Sequence, residues 1–136
     1  MELSEPARIL AAILVFSLIT VESGGLYLTR LARGVAPATP FQLSFARAGH
    51  AHAGVLLVLS LVGLLYAEAV GADGALGTIA RSGVPVAAIL MPAGFFLSSM
   101  GPDRSSPNRA IVLLYLGALS LALGLAALGI CLLRAA

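Results

Sequence analysis

Apolar residues run through this chain in four long blocks, separated by short segments rich in glycine, proline and charge. The first block covers residues 8–31 and is broken only by Glu22-Ser23-Gly24-Gly25. The second covers 40–69, the third 84–100 and the fourth 107–133. Uncharged apolar stretches of about 18 residues or more are long enough to cross a bilayer as helices. The punctuation agrees with helix ends. Thr39-Pro40-Phe41-Gln42 has the spacing of a capping box, with proline in the first turn. Ser106-Pro107 reads as the equivalent start of the fourth helix, and Pro85 as the start of the third, with the segment from Gly71 to Gly83 as a connection. Pro92, inside the third helix, is expected to kink it, because proline removes a backbone donor and clashes with the turn before it.

These elements predict an all-α fold, a four-helix transmembrane bundle with antiparallel up-down connections and both termini on the same side of the membrane. Composition strengthens that reading. Of 136 residues, 60% are hydrophobic and 10% charged, and mean hydropathy is +1.03, whereas a soluble domain carries about 25% charge. Glu2 and Glu5 precede the first block, where a secretory leader would be basic, so that block is expected to be a retained helix. All eight basic residues are arginine, scattered near helix ends, which argues against a nucleic-acid surface. Arg30, Arg33, Arg47, Arg104 and Arg109 flank the first and third connections; Arg8, Arg81 and Arg134 lie at the other end. That uneven division places the two connections inside and the termini outside by the positive-inside rule. The lysine-free, alanine- and leucine-rich composition points to a prokaryotic inner membrane.

Small residues recur at helix-packing spacing: Gly49, Ala53 and Gly54 in the second block, and Gly117, Ser120 and Gly124 in the fourth. They allow backbones to approach closely in lipid, within the bundle or between copies of it.

The chemistry-bearing residues are few. His50 and His52, the only histidines, lie one residue apart within the second block. Ionisable side chains inside a membrane segment are costly and are usually functional. At i and i+2 of a helix the two rings leave about 200° apart, so they suit two separate sites better than one metal ion. Glu22 lies about 13–16 Å from the end of its helix, and the histidines about 15–18 Å from the start of theirs, so the three share a depth. Met91 reaches a similar layer, and Tyr115 is the nearest phenol. A carboxylate, two imidazoles and a thioether together could hold copper, zinc or iron. Glu22 could instead serve as a hydrogen-bond acceptor behind a ligand histidine, or as a proton carrier. Packing accounts for Met91 and Tyr115 equally well, and Glu22 could simply bond to Ser23 or to backbone. The lone Cys131 is far from the histidines, and neither a phosphate-binding glycine loop nor a Cys-x-x-Cys-His haem attachment sequence is present.

The segment His50-Ala51-His52-Ala53-Gly54-Val55-Leu56, on the second of four membrane helices, resembles one four-helix repeat of the catalytic subunit of haem–copper oxidases and nitric oxide reductases. In that family three such repeats surround a pseudo-threefold axis, and a His-x-His pair serves two haems from opposite faces of one helix. The resemblance implies a homotrimer in which His50 of one subunit and His52 of the next hold haem b, or in which the imidazoles gather around copper or zinc. It further implies electron transfer with a redox partner. The family's ligands lie toward the outer face, which opposes the arginine count. The chain has no second histidine-bearing helix, so one copy alone cannot build a binuclear oxygen-reducing centre. Two other functions fit the same residues: a small proton or ion channel using Glu22 and the histidines, and a structural accessory subunit of a larger membrane complex.

Overall fold

The computed structural model describes residues 2–136. Its elements are α1 (Glu5–Ala32), α2 (Pro40–Ala69), α3 (Gly74–Ser98) and α4 (Val112–Ala135), the last entered through a 3₁₀ turn at Arg109–Ile111. Four helices are long and apolar enough to cross a membrane, so this is a multi-pass, all-helical membrane bundle, with no strand among the described residues.

Local chemistry explains most helix ends. Ser4 caps α1, its hydroxyl accepting from the Ala7 amide, with Pro6 in the first turn. Thr39 and Gln42 form the expected capping box of α2. Three helix starts differ from those read in the sequence, the first being α1, which begins at Glu5, ahead of its apolar block. α3 begins at Gly74, a position the glycine-rich stretch 71–83 had suggested was loop, and Pro85 lies in its interior instead of at its start. The true connection is the short turn through Gly71, whose φ of +58° suits a residue without a side chain. At α4 the cap is Asn108, whose side chain accepts from the Ala110 amide, in place of Ser106. α3 remains one continuous helix through both Pro85 and Pro92.

The glycines that looked like a linker are packing residues. A methyl at Gly83 would lie 2.5 Å from Gly124 Cα on α4, and one at Gly117 would lie 2.5 Å from Met91 Cγ on α3. Between them the Ser120 hydroxyl donates to the Gly83 carbonyl at 2.8 Å. The α3–α4 seam is therefore a backbone-to-backbone contact, which in lipid replaces the hydrophobic drive that a soluble bundle would use. Gly49 likewise lets α2 approach α3, where a methyl would sit 3.1 Å from Phe95 Cβ and from the Phe96 ring, and Gly54 faces Val21 of α1. The small residues of both blocks thus serve contacts inside one chain. Leu14, Leu56, Leu57, Val84, Ala87, Ala88 and Met91 form the main core.

α1 stands apart in this scheme. It packs chiefly on α2, and only 6% of its apolar window is buried, against 44% for α3. At the end where α2 turns into α3, the Ser4 amide donates to Glu68 at 2.9 Å, and Glu68 also pairs with Arg81 of α3 at 2.8 Å. Cys131 and Arg134 of α4 border Val70 and Asp73 at this same end, so Ser4 and Arg134 lie at one end of the bundle.

Candidate functional site

Ten residues into α2, the helix presents its two imidazoles to different neighbours. His50 faces α1: methyls built at Gly24 and Gly25 would each come to 3.4 Å from its ring, so the paired glycines leave a recess that the imidazole fills. No hydrogen bond reaches the His50 ring among the described residues. His52 leaves the opposite side of α2 toward α3, its ring centroid 4.9 Å from that of Phe95 and tilted 40° to it. Phe95 in turn meets Phe45 edge-on at 5.5 Å, and Phe45 meets Phe41 at 4.2 Å. An aromatic row thus runs along the α2–α3 seam and fixes one face of the His52 ring.

A second contact fixes its rotation. His52 Nδ1 lies 2.7 Å from the carbonyl oxygen of Ala48, one turn earlier in the same helix. A carbonyl only accepts, so Nδ1 carries the proton and donates. In the neutral ring this leaves the Nε2 lone pair free, the tautomer in which histidines commonly bind metals. Ring position and tautomer are both imposed by residues of this chain. Ala51 beside it is exposed, and His52 itself is half-buried at the edge of the seam, so Nε2 is not sealed inside the core.

The other candidates are dispersed. Glu22 is exposed on α1, with no hydrogen bond or ion pair among the described residues; its neighbour Ser23 donates to Ile19 instead. Val21, Gly24 and Gly25 face α2, which turns the carboxylate at position 22 away from the His50 recess. Met91 is 8% exposed and packed against Gly117, a core role. Tyr115 is 66% exposed on the outer side of α4. The shared depth of Glu22, His50 and His52 is real, but the three surround α2 and α1 on different sides and line no common passage through one chain. No group of three or more histidine, cysteine, aspartate or glutamate side chains gathers in a metal-holding cluster among the described residues.

Two contributors escaped sequence reading. Phe95 aligns His52, and nothing in its own local pattern separates it from an ordinary apolar residue. The glycine pair at 24–25 was visible only as an interruption of α1, although adjacent glycines in a membrane helix do signal a close neighbour. Comparison with family models, with characterised proteins and with solved structures finds no match to this chain.

Proposed function

We propose that this chain is a membrane-embedded haem- or metal-binding protein in which His52 supplies the ligand atom, Nε2, and that a complete site takes donors from more than one copy. The observation that carries this reading is the Nδ1 contact with the Ala48 carbonyl. An imidazole with a free Nε2, fixed in tautomer and packed against Phe95, pays little ordering entropy on binding. The residues fit such a group: one oriented nitrogen per chain suits an axial ligand of haem b, or one arm of a copper or zinc centre shared between subunits. When bound, that group would supply electron transfer. The chain's own part is to hold the ligand nitrogen at a set angle, surround it with apolar and aromatic side chains, and keep bulk water away through the surrounding lipid and helices.

His50 has a different part. Its recess against Gly24 and Gly25 places it between α1 and α2, so it fastens the two helices and sets the position of the turn that carries His52. The homotrimer expected from the family resemblance gives the simplest assembly in which several such nitrogens converge.

The test is metal and optical analysis of detergent-purified protein from cells supplied with iron, copper and zinc, beside His52→Ala and His50→Ala made separately. We expect a bound metal, or a haem absorption band, that is lost in His52→Ala and kept in large part in His50→Ala. Near-zero metal and no haem band in the unaltered protein would overturn the proposal. Loss in His50→Ala alone would overturn the assignment of His52 as ligand.

A further inference from the structure

Three groups in the apolar layer of this bundle have no hydrogen-bond partner among the described residues: the His50 ring, which fills the Gly24–Gly25 recess of its own chain, the Glu22 carboxylate and His52 Nε2, and the last two are left facing outward. We infer that copies of this chain close into a ring through a head-to-tail contact in which Glu22 of one copy meets His52 of the next. The contact needs no metal, and a metal bound at Nε2 would find the neighbouring carboxylate as its second donor.

Depth is the first argument. α1 and α2 run antiparallel, Val21 faces Gly54, and Gly24 and Gly25 face His50. Counting between these two contacts puts Glu22 level with His52. A ring whose axis lies along the membrane normal moves each residue sideways and leaves its depth unchanged, so these two side chains fall in one plane in every copy.

Placement on the surface is the second. The glycines and Val21 turn the inner side of α1 toward α2, leaving Glu22 on the outer side among exposed Val15, Ile19 and Leu26. His52 departs from the far side of α2, toward the α3 seam. Donor and acceptor therefore occupy different surface patches, and one chain cannot bring them together. Two different complementary patches generate a heterologous interface, and a ring when the rotation closes.

Complementarity is the third. A carboxylate facing lipid without a partner is costly. His52, whose Nδ1–H is already given to Ala48, offers Nε2, and Nε2 pairs with the carboxyl group by holding one proton between them, since neither atom donates without it. Beside His52, exposed Ala51 and Ser44 are small, so a neighbouring helix can approach closely there. α1, the least buried helix of the four, is the one free to supply that helix.

The test uses disulfide cross-linking in native membranes, with both polar residues left in place. Leu26, one turn from Glu22, and Ala48, one turn from His52, share a level in the ring. Two differently tagged chains, one carrying Leu26→Cys and the other Ala48→Cys, are co-expressed and oxidised, with the unaltered chain and its Cys131 as control. We expect a mixed-tag dimer, and no cross-link between two Leu26→Cys chains. Adding Glu22→Ala to the first chain should lower the yield about tenfold, and exchanging the pair (Glu22→His with His52→Glu) should restore it, which a merely misfolded variant would not do. A Leu26→Cys self-cross-link in place of the mixed one would overturn the inference in favour of α1 meeting itself. Absence of any mixed cross-link, or a yield indifferent to Glu22→Ala, would overturn it as well. None of these readouts involves a metal, so a failure here is separate from a failure of the cofactor proposal.

Discussion

Gln42 uses both ends of its amide. Its Oε1 accepts from the Thr39 amide at 3.0 Å, completing the capping box, while Nε2 donates to the carbonyls of Ser99 at 3.1 Å and Gly101 at 2.8 Å. The start of α2 is thereby tied to the end of α3. Gln42→Glu would keep the acceptor and lose both donors, leaving a carboxylate facing two carbonyl oxygens. We expect it to destabilise the bundle by about 1–3 kcal/mol, measurable as a lower unfolding midpoint in detergent, with α2 helicity retained. Unchanged stability would mean that water replaces both bonds without loss. The capping half of this role was legible as Thr-x-x-Gln in the sequence. The clip to α3 was not, because it joins residues far apart in the chain. His52 shows the same division. The sequence placed its ring about 200° from that of His50, but its packing partner Phe95 appears only once α3 is in place.

Between helices, glycine decides which contacts are possible. Gly83 and Gly124 touch backbone to backbone, whereas a methyl at Gly129 would meet nothing within 4 Å. Gly83→Val should therefore push α3 from α4 and break the Ser120 bond, costing about 3 kcal/mol or more. Gly129→Ala should be neutral or stabilising by about 0.5–1 kcal/mol, since alanine loses less backbone freedom in a helix. Thermal unfolding of the two variants in the same detergent checks the contrast. Equal effects would show that packing at the seam is loose. Composition marks all of these residues alike as glycine, which is why the segment 71–83 reads as linker although most of it is helix. What separates a helix-seam glycine from a turn glycine is the presence of Gly124 on the other side.

For the whole molecule, the weakest attachment is α1, which gives the main core one buried residue, Leu14. Its N-terminal end is held by Glu68, which takes the Ser4 amide and pairs with Arg81. The Glu68 side chain is 6% exposed, so its removal leaves a guanidinium and an amide without their acceptor. We expect Glu68→Ala to cost about 1.5–3 kcal/mol and to raise amide exchange first at residues 4–8, while the α3–α4 seam stays protected. Uniform protection across the chain would show that α1 is secured elsewhere. A helix attached along one side is also the element with surface to spare for a neighbouring copy, which is where Glu22 lies.

The amino-acid sequence by itself determined that this is a bundle of four membrane helices, where α2 begins and ends, and the common depth of Glu22, His50 and His52. These follow from short-range properties: the length of apolar runs against a bilayer about 30 Å thick, capping chemistry, and a rise of about 1.5 Å per residue. Tertiary structure alone decided that the 71–83 segment is mainly helix, that Met91 is core and Tyr115 surface, and that Glu22 turns away from both histidines. Those outcomes depend on which helix lies against which face, and that is settled by close approach between residues many turns apart, where one missing side chain on a neighbouring helix determines what can touch.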